Sequence, residues 1–204
     1  MRESFESMAK AGFSEACERN KDFILNVLKE AFADSTTILE IGSGTGQHVV
    51  YFSAQLPMLN WQPTDTAEYL DGLCKRVATE APDNVEDPIE LDVRMQPWPV
   101  GPFDGAFSAN TLHFMSWPCV EQFFRGIGES LTNRGVLCVY GPFRYAGEFT
   151  SDSNARFDQH LKQMDTQKGI KDFEGINKLA KAERLELVQD IVMPANNQIL
   201  VWRR

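Results

Sequence analysis

The sequence has few cysteines, a deficit of positive charge and no long apolar run. Its four cysteines, Cys17, Cys74, Cys119 and Cys138, are scattered and never form a C-x-x-C pair. That spacing suggests neither a metal site nor a dithiol redox motif, and fits free thiols in a reducing compartment. Lys and Arg number 20 against 29 Asp and Glu, a formal charge of −9. Gripping nucleic acid requires clustered basic surface to neutralise phosphates, so no nucleic-acid partner is expected. No stretch approaches the roughly 20 apolar residues of a bilayer span, and Met1 to Phe23 lack the basic-then-apolar pattern of a leader. The chain therefore reads as cytoplasmic, without membrane contact. Internal repeats, low-complexity tracts and linkers are missing too, which argues against several domains.

What is present suits one globular domain over residues 1–204. Hydrophobic residues make up 43% and charged residues 24% of the 204, enough to bury a core. In the N-terminal segment, residues 1–34, apolar side chains from Phe23, Ile24, Val27 and Leu28 to Ala31 and Phe32 recur at helical spacing after Ser14, with Glu18, Lys21, Asn26 and Lys29 opposite. Alternation follows. Strands are predicted at Thr37 to Ile41, Leu59 to Thr64, Ile89 to Leu91, Gly105 to Ala109 and Val136 to Tyr140. Helices are predicted at Gly46 to Leu56, Ala67 to Glu80 and from the Ser116 cap to about Leu131, and Asn133-Arg134-Gly135 reads as a turn. Strands separated by helices imply crossovers and a mainly parallel, doubly wound α/β sheet of Rossmann-like type. Leu185 to Val192 and Gln198 to Trp202 are joined only by residues 193–197, too short for a crossover, so this last pair should be an antiparallel hairpin. Residues 141–175 read as a polar insertion or lid with one helix, on which Phe157, Leu161 and Met164 share a face. It should project from the carboxyl edge of the sheet, where ligands of such folds bind.

The most informative stretch is Glu40-Ile41-Gly42-Ser43-Gly44-Thr45-Gly46, a strand entering a glycine turn and then a helix. A dinucleotide fingerprint requires its third glycine at position 47, which is Gln47, so a nicotinamide-dependent oxidoreductase is disfavoured. A phosphate-cradling loop would end Gly-Lys-Ser/Thr, whereas this one reads Gly46-Gln47-His48.

On these residues the chain resembles the class I methyltransferases dependent on S-adenosylmethionine (SAM), whose first motif is an acid, any residue, then Gly-x-Gly-x-Gly. Glu40, Gly42, Gly44 and Gly46 match it position by position. The resemblance implies a seven-stranded sheet ending in the antiparallel pair, SAM as cofactor and S-adenosylhomocysteine as product. It also places Glu40 near the methionine end of the cofactor. Asp65, 25 residues after Glu40, would accept hydrogen bonds from both ribose hydroxyls, or else cap the helix starting near Ala67. Asp92 would face the adenine amino group or be an ordinary polar residue after a strand. Asn110 would line the floor near the methionine moiety. Enzymes that methylate exocyclic or amide nitrogens carry Asn/Asp-Pro-Pro-aromatic here, but Asn110 is followed by Thr111-Leu112-His113, so such acceptors are disfavoured.

Methyl transfer to a small molecule gains from alignment and, for alcohols, from a base. His113 is the candidate base, or else a packed histidine. His48 reads as packing or cofactor contact, and His160 as a solvated residue. Phe143, Arg144 and Tyr145 open the insertion where an acceptor pocket is built, with Tyr145 a second catalytic candidate. Arg19 and Asn20 are candidate cofactor contacts; Arg19 could clamp a carboxylate or be a surface arginine. Glu18-Arg19-Asn20, Asn110 with His113, and Pro194 to Asn197 also resemble a subgroup, the methyltransferase-like protein twenty-six relatives. An inactive cofactor-binding or partner-binding protein is the other reading, since no strong catalytic signature lies beyond His113.

Overall fold

The computed structural model describes residues 12–204, so the first eleven residues of the predicted N-terminal segment lie outside the described residues. Ser14 is extended and its hydroxyl accepts from the Cys17 amide, which starts helix α1, Glu15–Ala31. Strand β1 (Thr37–Ile41), helix α2 (Gln47–Gln55), β2 (Asn60–Asp65), α3 (Ala67–Glu80) and β3 (Ile89–Glu90) follow in alternation. Next come β4 (Phe103–Ala109), a 3₁₀ turn at Leu112–Phe114, α4 (Trp117–Ser130) and β5 (Leu131–Gly141). The chain then forms β6 (Phe143–Tyr145), β7 (Glu148–Phe149), α5 (Asp152–Met164), β8 (Lys171–Asp172) and α6 (Phe173–Ala182). It closes with β9 (Glu186–Met193) and β10 (Asn197–Arg203).

The main sheet has seven strands in the order β3-β2-β1-β4-β5-β10-β9. β1 runs parallel to β2 and β4, and β4 parallel to β5, whereas β10 is antiparallel to both β5 and β9. All strands from β1 to β5 therefore end on one edge. Alternation along β1 sends Ile38 into the apolar layer under α1, α2 and α3, and Leu39 and Ile41 into the layer under α4 and α6. Phe52, Trp61 and Phe107 meet in the first layer, with ring centres 5.5 to 6.4 Å apart.

Several expectations need correction. Phe23 is half exposed, and α1 instead buries Asn20, Ile24, Leu25, Leu28 and Ala31. A helix advances about 100° per residue, so positions 20, 24, 28 and 31 form the stripe and position 23 falls off it. Residues 133–135 are not a turn between elements. They lie within β5, where Arg134 takes φ +95° and the pairing with β4 shifts register between Phe103 and Gly105, a bulge. The insertion is not merely one helix. Besides α5 it contains a separate three-stranded sheet, β7-β6-β8, and Gly175 falls inside α6.

Packing of α1 onto the sheet leaves no room at Gly105 of β4. A Cβ there would lie 2.6 Å from Ile38 Cδ1 and 2.8 Å from Phe32 Cε1. Gly105→Ala is expected to lower stability by about 1–3 kcal/mol through overpacking, read as a fall in the urea midpoint. An unchanged midpoint would show that this contact yields freely.

Candidate functional site

The turn between β1 and α2 is built from three left-handed glycines, with φ +74° at Gly42, +56° at Gly44 and +76° at Gly46. Side chains rarely adopt that conformation. At Gly42 sterics add to it, because a Cβ would sit 2.3 Å from Thr111 Cγ2. The Gly42 and Ser43 amides donate to the Thr64 carbonyl, each at 3.0 Å, which fastens the turn to β2. The Gly44 amide donates to Asp65 Oδ2 at 2.6 Å, and the Thr66 amide to Asp65 Oδ1 at 2.7 Å. Asp65 is buried, and burial pushes its carboxyl above the usual range despite these two amides. A Cβ on Gly44 would meet nothing within 4 Å, and the buried Ser43 hydroxyl has no hydrogen-bond partner among the described residues. Gly44 and Thr45 open onto a cleft of about 370 Å³ whose other wall is α3, at Glu68, Gly72 and Arg76.

Glu40 points away from this opening, into the layer beneath α1. It is 2% exposed, and its Oε2 accepts from Trp61 Nε1 at 2.6 Å. Burial raises its pKa to about 8, with the neighbouring Asp65 charge adding to the rise and the indole opposing it. Gln47, where a dinucleotide fold would need glycine, ties the turn to α1 instead, through the Ser14 amide and carbonyl and Glu18 Oε1. His48 is buried, stacks on Phe52 and hydrogen-bonds Asn20 Oδ1 at 2.7 Å. Burial lowers its pKa to about 4. Asn20 also faces the Tyr140 hydroxyl, which accepts from Asn197 Nδ2 at 2.9 Å. Asn20 and the hairpin residue Asn197 thus meet at the end of β5 through Tyr140, a residue the sequence reading did not single out.

The remaining candidates divide. Asn110 has φ +58° at the tip of β4, where its amide donates to the Tyr140 carbonyl at 2.8 Å. A Cβ on Gly141 would lie 3.9 Å from both Asn110 Oδ1 and His113 Nδ1, so these two side chains converge over the end of β5. His113 is buried in the 3₁₀ turn against Phe114 and Phe157, and burial takes its pKa down to about 3. Asp92 follows β3, but both its oxygens are held by the exposed Arg94, whose hydrogen bonds lower its pKa. Arg19 is exposed on α1 and paired with Glu15 at 3.1 Å. Tyr145 donates to Asp190 on β9 at 2.8 Å and stacks on Phe173, and burial pushes its pKa further up. β9 is four strands from β1, roughly 19 Å at the usual strand spacing, so Tyr145 is not brought to the glycine turn. His160 is exposed on α5. Among the described residues no cluster of His, Cys, Asp and Glu could hold a metal ion, and no helix is long and apolar enough to cross a membrane.

Comparison with solved structures places the same fold in an O-methyltransferase family protein from Burkholderia thailandensis, at TM-score 0.80 and 16% identity over 93% of this chain. Human N-acetylserotonin methyltransferase in complex with SAM aligns at 0.80 and 13% over 98%. An O-methyltransferase family 2 protein from Planctomyces limnophilus in complex with apigenin aligns at 0.71 and 18% over 90%. The chain spans 57%, 55% and 61% of these neighbours' lengths. At such identities the likeness establishes the fold alone. A family model described as "Protein of unknown function (DUF938)" matches residues 11–204.

The buried groups fix how stability depends on pH. Glu40 at about 8 stands above its ordinary 4.5, so the folded state keeps a proton that the unfolded chain releases, and stability falls as pH rises towards 8. His48 and His113, at about 4 and about 3, stand below their ordinary 6.5, so the unfolded chain gains protons first and stability falls on acidification below 6.5. The ligand-free protein is therefore expected to be most stable near pH 6.5. One unmatched proton is worth about 1.4 kcal/mol per pH unit, so about 2 kcal/mol should be lost between pH 6.5 and 8. Glu40→Gln should abolish that loss in urea titrations; an equal loss in both proteins would assign it to other groups.

Proposed function

The chain belongs to the DUF938 family, and from that premise we propose that it is a SAM-dependent methyltransferase acting on a small molecule. One observation carries the reading: the Asp65 carboxylate 2.6 Å from the Gly44 amide, beside an opening at Gly44 that a Cβ would enter freely. A carboxylate in that position repels a phosphate and favours hydroxyl donors and cations. SAM offers ribose hydroxyls, an ammonium and a sulfonium but no phosphate, and the partnerless Ser43 hydroxyl supplies one more polar group in the same turn.

In this reading Gly42, Gly44 and Gly46 bring the backbone close to the cofactor and Asp65 accepts from the ribose. Asp92 flanks the adenine, and Asn110 closes the floor. Glu40 acts indirectly, holding β1 to β2 through Trp61. When bound, the cofactor supplies an electrophilic methyl group on a sulfonium sulfur. His113 is neutral at pH 7 and can orient an acceptor hydroxyl through a ring nitrogen, but an imidazole with pKa about 3 is a weak general base. Positioning therefore carries more of the catalysis than proton transfer. The meeting of Asn20 with Asn197 around Tyr140, next to Asn110 and His113, supports the finer resemblance to the methyltransferase-like protein twenty-six relatives. The unpaired cysteines suit a reducing, cytoplasmic setting.

The weak basicity of His113 also favours a second reading, a cofactor-binding protein without turnover. Both readings expect S-adenosylhomocysteine to bind in a calorimetric titration, and Asp65→Ala to weaken it by about 1.5–3 kcal/mol. Absence of binding at millimolar ligand would overturn both, and NADH binding in its place would restore the dehydrogenase. Labelled methyl transfer from SAM into a metabolite extract, lost in Asn110→Ala, separates the enzyme from the inactive binder.

A further inference from the structure

Beyond the ends of β4 and β5 the small sheet holds a lysine that makes no direct ion pair among the described residues. The Gly169 amide donates to the His113 carbonyl at 2.9 Å, which fastens the approach to β8 onto the 3₁₀ turn. On β8, Lys171 stands in register with Phe143 of β6. Lys171 is 8% exposed overall, and its ammonium, which has no hydrogen bond or ion pair among the described residues, keeps contact with solvent.

The nearby carboxylates already have cation partners, although Asp172 Oδ1 is buried without a hydrogen bond among the described residues. Buried Asp158 accepts from the Ile170 amide at 2.8 Å on Oδ1 and from Lys162 Nζ at 2.6 Å on Oδ2. Asp172, the next residue along β8 and so on the other face of the strand, takes Arg144 at 2.6 Å. Lys171, Lys162 and Arg144 thus outnumber Asp158 and Asp172, and Asp158 favours the Lys171 ammonium only through space. The charge of Lys171 also reaches His113, whose pKa it helps to depress. His113 in turn converges with Asn110 over Gly141. Imidazole and amide therefore border the end of β5, and the Lys171 ammonium acts on the imidazole from β8.

We propose that Lys171 is the subsite for an anionic group of the methyl acceptor, so that the substrate is a small organic acid bearing a carboxylate or phosphate. The role as acceptor subsite rests on the methyltransferase reading; the affinity for an anion does not, and it is measured without turnover. In that subsite the acid's anion pairs with Lys171, and the remainder of the molecule lies towards Asn110 and His113.

The test compares isosteric acids and amides, acetate with acetamide and benzoate with benzamide, as stabilisers of the full chain at equal concentration and ionic strength. Each acid is expected to raise the melting temperature of the wild type by about 2 °C or more beyond its amide. That excess should vanish in Lys171→Met and in Lys171→Gln. Lys171→Met should also raise the melting temperature of the ligand-free protein, because burial penalises the charged form of the lysine and methionine keeps a stem of similar length. S-adenosylhomocysteine affinity should stay within about twofold of wild type, about 0.4 kcal/mol. Equal shifts with acid and amide, or an acid excess that persists in both variants, would overturn the subsite. Failure of the wild type to bind S-adenosylhomocysteine would overturn the methyltransferase reading while the acid and amide comparison still decides the anion site.

Discussion

The hydrogen bond from the Gly44 amide to Asp65 joins the ends of two neighbouring parallel strands, and much of the carboxyl edge depends on it. A turn of three left-handed glycines has little intrinsic preference for one shape, because glycine loses more backbone freedom on folding than any other residue. Order comes from outside the turn. The Thr64 carbonyl takes two of its amides and Asp65 a third, while Thr111 fills the space over Gly42. Thr111 is itself held by Ser108, whose hydroxyl also donates to the Ile41 carbonyl at 2.8 Å. The ends of β1, β2 and β4 are thus interlocked by short polar contacts, and the opening at Gly44 is held by its neighbours.

Burial sets the protonation states around this edge more strongly than any single partner does. Glu40 has an indole donor at 2.6 Å and still rises to about 8, because one hydrogen bond does not replace the hydration of a carboxylate. His48 and His113 are driven the other way for the same reason, since desolvation penalises whichever form is charged. Between about pH 4 and 8 these three groups are therefore mostly neutral, and the charges near the edge that lack a paired counter-ion among the described residues are Asp65 and Lys171. Those are the two places where a ligand of opposite charge would gain most.

Local patterns were readable in the sequence and long-range pairings were not. Strand Thr37–Ile41 and helix Ala67–Glu80 lie where periodicity put them, because an apolar run or an i, i+3, i+4 stripe is a property of adjacent residues. The glycine spacing was legible for the same reason. The stripe on α1 was misplaced at Phe23 because an aromatic residue draws the eye towards the core, while the buried Asn20 looks like a surface position. β6, β7 and β8 have only two or three residues each, too short for a period of two to show. The contacts that define the site join residues far apart in the chain: Gly44 with Asp65, Glu40 with Trp61, His48 with Asn20. Lys171 gave no signal, because a single lysine in a polar stretch looks solvated until its burial is seen. Its missing partner can be recognised only once the partners of Asp158 and Asp172 are known.

The charge of −9 bears on how the proposed pair of ligands would arrive. A net negative surface offers an organic acid no long-range attraction, and beyond a Debye length of about 8 Å at physiological salt even that repulsion is largely screened. Affinity for the acid would then come from contact with Lys171 in a partly desolvated setting, where a charge pair is worth more than at the open surface. A cationic cofactor, as proposed, would face the opposite situation, favoured at a distance by the overall charge and at contact by Asp65. A carboxylate at β2 and an ammonium at β8 on one edge would hold two ligands of opposite charge side by side. Their mutual attraction would add to the alignment that methyl transfer requires, without either ligand having to displace an existing ion pair at Lys171 or Asp65.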